Sequence, residues 1–327
     1  MSDPIKPGIH DMPEAERKWL EWRKEGIGAS DIAAICGQSP FASPWSVWAT
    51  KVGLADDVNP THAMRRGKYA ERVIGQFFTE DTGLHLRRFQ EQAEHPSNRV
   101  LRATLDGVAY ESENSYEPLC IVEMKDTTAS AKQWEEEIPL EYRFQGAYQS
   151  MVTGIEHVKF AVVHTGWGFR FAVYDYTPSA SDIEFVKRHA VDFWTAHVIT
   201  GKPPEADAMS ATTTAINGAW TDDDLDDILF ADGDAELLGL VAAAIDAKAM
   251  EKQAKERAVA ATNALKSRMG ECTVLQANGI ALATWKPQAR RTIDPKSLRE
   301  VHPDIADEHT RTNTVRALIL PKQKDAA

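Results

Sequence analysis

The stretch LDGVAYESENSYEPLCIVEMK, residues 105–125, sets a carboxylate and an ammonium two residues apart at the end of an apolar strand, behind an isolated Asp-Gly. Alternate strand residues share a face, so Glu123 and Lys125 are expected side by side, with Val122 and Met124 on the opposite face. Desolvating two charges there is expensive unless something compensates them. If Asp106 meets them from an adjacent strand, two carboxylates and the Met124 backbone carbonyl make the hard-oxygen environment that Mg²⁺ prefers, with Mn²⁺ as a substitute. Lys125 would then help to orient and deprotonate an attacking water. Gly107 lets a backbone or a phosphate approach closely. The ordinary alternative is an exposed ion pair on an edge strand, which is worth little.

The chain of 327 residues is 43% hydrophobic and 26% charged, enough for one large or two smaller globular domains. No apolar run approaches a membrane span and the first residues lack the apolar core of a signal peptide, so a cytoplasmic protein is expected. Cys36, Cys120 and Cys272 are too few and too scattered for a disulfide framework or a zinc pattern, and read as reduced thiols. The net charge of −12 argues against nonspecific coating of nucleic acid. Much of that excess sits in one run, TDDDLDDILFADGDAE, while MRRGK and LHLRRF are basic, so a local basic groove is compatible with it.

Around the acid–amine stretch, hydropathy periods place the elements. Helices are expected over Pro13–Glu25, Asp31–Cys36 with Ser30 as N-cap, from Pro44, and over Ala63–Thr82 with Met64, Tyr69, Val73, Ile74, Phe77 and Phe78 as its apolar face. Strands are expected over Leu84–Phe89, Val100–Tyr110 and Pro118–Lys125. A helix interrupted near Pro139 follows over Ala131–Thr153, then a hairpin His157–His164 and Gly168–Tyr176, and a helix Ile183–Ile199. This order implies an α/β domain spanning residues 1–205. An acidic linker, 206–234, leads to a smaller C-terminal α+β module, 235–327. That module holds a long helix Ala235–Met269, a hairpin turning at Asn278-Gly279, a short helix Asp294–Val301 and a last strand Val315–Leu320.

Asp106, a gap, and an apolar strand ending in Glu-x-Lys together resemble the PD-(D/E)xK nuclease superfamily. Three further segments resemble the YqaJ-like viral recombinases, the family that includes the phage lambda exonuclease: LEWRKEGIGASDIAAICGQSP, RRGKYAERVIGQFFTEDTGL and PLEYRFQGAYQSMVTG. The resemblance implies the restriction-endonuclease-like core, a mixed central sheet flanked by helices, over roughly residues 15–200. It implies Glu71 as an extra acidic residue reaching the metal, and Gln145 as support for the water or the scissile phosphate, with Tyr142 and Gln149 one turn away. It implies Arg23 and Ser30 at the 5′-phosphate of DNA. The family often has Pro directly before the first Asp; here Leu105 stands there, which touches the backbone turn and removes no metal ligand.

Taken singly, these residues keep ordinary readings: Glu71 a solvated acid beside Arg72 or Lys68, Ser30 a cap beside a surface Arg23, Gln145 a polar tie between helix and strand. Arg65, Arg66 and Lys68 precede Glu71 and can face phosphates. Trp45, Trp48 and Trp134 read as core, with stacking on bases as the alternative; Lys132 is open. The resemblance implies a Mg²⁺-dependent exonuclease that digests double-stranded DNA from 5′ ends and leaves 3′ single strands for an annealing protein. It implies a trimeric ring and a phage or prophage origin in a bacterial cell. Same-fold alternatives are a structure-specific or restriction-type endonuclease; a different class is a non-catalytic DNA-binding assembly protein.

Overall fold

A computed structural model describes residues 14–55, 62–87, 89–166, 168–220, 228–289, 291–310 and 318–320. Pro13, the Met64 side chain, residues 221–227 of the acidic run and residues 315–317 carried expectations that lie outside the described residues. Two compact units divide the chain, Met1–Thr221 and Asp222–Ala327.

The first unit is built on a five-stranded mixed sheet of β1 (His85–Arg87), β4 (Gly107–Tyr110), β5 (Cys120–Thr127), β6 (Val158–His164) and β7 (Arg170–Tyr176), in that spatial order. Only β5 and β6 are parallel; the remaining pairs are antiparallel. A separate ribbon pairs β2 (Glu91–His95) with β3 (Asn98–Leu105). Helices cover both faces, as expected. α4 (His62–Thr82) lies over Val122, Met124, Ala161 and Val163. On the opposite face, Ile121, Phe160 and Val162 pack in one core with α2 (Ile32–Ile35), α3 (Pro44–Lys51), α6 (Leu140–Thr153) and α7 (Ala180–Phe193). α1 (Glu14–Lys24) precedes them, and α5 (Ala131–Glu136) is separated from α6 by the Pro139 break.

Several boundaries differ from the sequence expectation, each for a physical reason. Val100–Tyr110 is two strands, because Leu105 pairs with Glu91 in the ribbon whereas Gly107 pairs with Val122 in the sheet, leaving Asp106 at the corner. β2, EQAEH, lacks β-branched and aromatic residues and carries no strand signal of its own. On α4 the inward row is Ile74 and Phe78, both buried, with Ala70 partly buried, four apart; Tyr69 and Val73 sit one residue away, about 100° around the helix, and are exposed. Ser30 is not an N-cap: Asp31 holds that position, and no side chain caps the four-residue α2. α7 begins at Ala180 through a Ser179–Asp182 capping box and runs into a π-helical turn, Trp194–Val198.

The segment read as the start of a linker contains α8 (Ser210–Ala219), which packs on α3. The Thr212 hydroxyl donates to Ser43 Oγ at 2.7 Å, so the first unit runs past residue 205. In the second unit α9 spans Ala235–Met269, and Asn278 and Gly279, both at positive φ, close the β8 (Val274–Ala277)–β9 (Ile280–Thr284) hairpin. α10 (Pro295–Val301) is capped by Asp294, and α11 (Pro303–Glu308) was not foreseen; Leu318–Leu320 form no strand. No described helix is long and apolar enough to cross a membrane.

Candidate active site

The strand alternation puts Glu123 and Lys125 on the face covered by α6, and Val122 and Met124 under α4. Where β4 begins, Asp106 replaces a backbone partner: its Oδ2 accepts the Met124 N–H at 2.9 Å. Leu105, in the place of the family's Pro, is buried and ladder-paired, so the turn into Asp106 forms without a proline ring.

Glu123 is only 2% exposed. Its Oε1 accepts from Lys125 Nζ at 2.5 Å and from Gln145 Nε2 at 2.5 Å, and its Oε2 accepts from Gln149 Nε2 at 2.6 Å. Lys125 also donates to Gln145 Oε1 at 3.1 Å and lies 5.1 Å from the Tyr142 ring centroid, a cation–π distance. Gln145 and Gln149 share a face of α6, being four residues apart. Glu71, on α4, accepts a hydrogen bond from Gln90 Nε2 at 3.0 Å. Gln90 sits at φ 55° in the turn between β1 and β2, a left-handed conformation that glycine usually supplies.

The electrostatics tie these groups together. Burial raises the Asp106 carboxyl well above the carboxylate range, and the Glu123 and Glu71 charges push it the same way. The Glu71 carboxyl is also raised, first by burial, against the Gln90 hydrogen bond and with help from Glu123. Burial alone would lower Lys125, but the charges of Glu123 and Asp106 outweigh it and hold the amine above its ordinary value. Lys125 is therefore an ammonium here, a donor that orients neighbours. The expected deprotonating role needs the neutral amine, which these carboxylates disfavour.

Among the described residues, no three His, Cys, Asp or Glu side chains form a ready metal cage. Both Glu123 oxygens are instead taken up by Lys125, Gln145 and Gln149. The donor chemistry nevertheless fits a hard divalent cation. Glu123 is a buried and Asp106 a half-buried oxygen donor; the Asp106 carboxyl is raised first by desolvation and then by the Glu123 charge, and a cation held by them would offset both.

Arg23 and Ser30 also come together, through neighbours not singled out from sequence. Arg23 Nη2 donates to Ser30 Oγ at 3.1 Å and to Asp31 Oδ1 at 3.0 Å. Lys51 Nζ lies 2.7 Å from Asp31 Oδ2, which also accepts the Gly28 N–H at 2.9 Å. Arg23, Lys24, Asp31, Thr50 and Lys51 line a cavity of about 110 Å³. The loop is anchored on the ribbon: Ile27 N–H donates to Val100 O at 2.7 Å, and Tyr148 Oη donates to Ile27 O at 2.8 Å. A Cβ on Gly26 would lie 2.4 Å from Val100 O, so only glycine fits there.

Burial would raise the Asp31 carboxyl, but the Lys51 and Arg23 charges, with hydrogen bonds from Lys51 and the Gly28 N–H, hold it well below its ordinary range. A depressed carboxyl contributes stability above its unfolded value, and that contribution is lost as pH falls below it. Asp31→Ala strands the buried Lys51 ammonium. It should cost about 3–5 kcal/mol at pH 7 in denaturant unfolding, a difference that shrinks below about pH 4.

The remaining basic candidates are dispersed. Arg66 Nε is 2.5 Å from Asp126 Oδ2, next to Lys125, so its guanidinium is engaged by a carboxylate. Arg65 is exposed, with Nη2 3.0 Å from His62 Nδ1. Lys68 is exposed on the same helix and lowers the Glu71 carboxyl through its charge. Trp45, Trp48 and Trp134 are buried, and Lys132 is exposed near Glu136. Asp31, Lys51, Gln90 and Asp126 escaped the sequence reading. Asp31 lay inside the quoted signature, whereas Gln90 had no local signal.

A mixed central sheet flanked by helices, with this acid–amine cluster on β5, is the arrangement that the PD-(D/E)xK resemblance implies. Residues 18–156 match the family described as the YqaJ-like viral recombinase domain. An uncharacterised protein named YqaJ from Bacillus subtilis (strain 168) is 26% identical over 298 residues, 89% of each chain. An alkaline exonuclease, LHK-Exo, from Laribacter hongkongensis is similar at 15% identity and TM-score 0.45, over 57% of this chain and 93% of its own. A phage related exonuclease from Haemophilus somnus 129PT is similar at 10% identity and TM-score 0.42, over 54% of this chain and 94% of its own.

Proposed function

We propose that this chain is a divalent-metal-dependent deoxyribonuclease that shortens linear duplex DNA from 5′-phosphorylated ends, leaving 3′ single strands for an annealing protein. The observation that carries the reading is the hydrogen-bonded convergence of Glu123, Lys125 and Gln145 beside Asp106, midway along β5 where it pairs with β6. Asp106, Glu123 and the Met124 carbonyl would hold Mg²⁺ or Mn²⁺, with Glu71 joining directly or through water. The cation, when bound, supplies Lewis-acid charge at the scissile phosphate.

The chain's own groups do the remainder. Lys125 donates hydrogen bonds that aim the attacking water and offset charge developing on the phosphate oxygens. Gln145 ties Lys125 to Glu123, accepting from the one and donating to the other. Tyr142 presents its ring face to the ammonium. Arg23 and Ser30 would receive the terminal 5′-phosphate by charge-assisted hydrogen bonds, while Arg65, Arg66 and Lys68 would track the backbone, Arg66 by exchanging Asp126 for a phosphate. A homo-oligomeric ring, cytoplasmic action in a bacterial host and a DNA- or partner-facing role for the C-terminal module belong to the same proposal.

Incubation with Mg²⁺ and three DNA forms tests it. Linear duplex with 5′-phosphate should be shortened progressively, 5′-hydroxyl ends about tenfold or more slowly, the worth of one charge-assisted contact, and closed circles not at all. EDTA should stop the reaction. Cleavage of circles would transfer the reading to an endonuclease of the same fold, and inactivity in every divalent metal to a DNA-binding assembly protein.

A further inference from the structure

Gln149 raises a question that packing does not answer. It is fully buried on α6, a helix otherwise lined there by Ala147, Tyr148, Met151 and Val152. Its Nε2 donates to Glu123 Oε2 at 2.6 Å, but its own Oε1 is buried and has no hydrogen-bond partner among the described residues. Burying an amide oxygen unpaired is unfavourable, and a Leu or Met would fill the same space without that cost. Turning the amide over would not help. It would set the carbonyl oxygen against a carboxylate oxygen at the same short distance and take away that oxygen's donor. The orientation is therefore imposed by Glu123, and the orphaned oxygen is its consequence.

The geometry points to Gln149 as a positioning residue that fixes the Glu123 carboxylate for a divalent cation, acting through Oε2 while Lys125 and Gln145 act through Oε1. With donors on both oxygens, the carboxylate plane is set by three groups from two elements, β5 and α6. Gln145 and Lys125 are only part-buried; Gln149 is 0% exposed and is the most enclosed of the three donors. Groups that orient a metal ligand from behind commonly alter metal affinity about tenfold to a hundredfold when removed. This inference rests on the metal reading proposed above, and the test separates the two.

Mn²⁺ binding to the full chain is measured by calorimetry, without DNA or turnover, for wild type, Gln149→Met, Gln149→Asn and a control, Val152→Ala, which removes buried volume from the same helix and leaves the three donors to Glu123 in place. The two Gln149 variants are expected to bind Mn²⁺ about tenfold or more weakly, and Val152→Ala with wild-type affinity despite lower thermal stability. Wild-type affinity in a folded Gln149 variant overturns the inference. So does failure of both variants to fold by circular dichroism, which would assign Gln149 to the core. Equal weakening in Val152→Ala would reduce the effect to general loosening of α6. If wild type takes up no Mn²⁺, the metal reading itself falls, and this inference with it.

Discussion

Lys125→Ala is expected to reduce turnover of 5′-phosphorylated duplex by about 10²–10³-fold, the usual cost of removing one preorganised hydrogen-bond donor, while DNA binding and Mn²⁺ uptake persist. The substitution removes the ammonium that donates to Glu123 Oε1 and Gln145 Oε1, and touches neither Asp106 nor the Met124 backbone. Gln145 and Gln149 still hold one oxygen each of Glu123, so the carboxylate keeps its place. Gel-shift binding and single-turnover digestion on the same preparations separate the two effects. Digestion at the wild-type rate would remove Lys125 from the chemistry, and loss of DNA binding would make it a binding residue.

Asp106→Asn should move stability and activity in opposite directions. The folded Asp106 carboxyl is raised by burial and by the Glu123 and Glu71 charges. A carboxyl raised in the folded state favours folding below its unfolded value, and that advantage disappears as pH rises through the window up to its folded value. At neutral pH without metal, the ionised or proton-holding carboxyl is therefore a burden. Asparagine keeps an oxygen to accept the Met124 N–H and carries no charge. The variant should gain about 0.5–2 kcal/mol of unfolding free energy in EDTA, the range of a typical stabilising substitution, with a flatter pH dependence. Its turnover should fall at least about a hundredfold through loss of a ligand. A variant that is both less stable and fully active would contradict the placement of Asp106 among the acids.

Much of this site was legible because its signals are local. The period-two alternation of CIVEMK set Glu123 and Lys125 apart from Val122 and Met124, and the structure keeps that division between α6 and α4. Gln145 and Gln149, four apart in one helix, reach the same carboxylate. α9, with a capping Asp234 and a closing Gly270, was bounded correctly for the same reason.

What escaped depends on contacts between distant segments. Asp106 divides a single hydropathic run into two strands because Leu105 and Gly107 have partners in different sheets, a choice no local period encodes. Ser30 serves Arg23 and not the helix end, because Asp31 already occupies the cap and is claimed by Lys51 from α3. Arg66 meets Asp126 across 60 positions of sequence, so its charge is partly spent within the protein. α8 reads as a polar linker until Thr212 finds Ser43.

The most direct measurement is anomalous diffraction from crystals soaked in Mn²⁺ with a 5′-phosphorylated duplex. The account predicts a manganese peak held by Asp106 and Glu123, with Lys125 turned toward the scissile phosphate. A peak elsewhere, with Glu123 still bound by Lys125, Gln145 and Gln149 and DNA lying on another face, would contradict it.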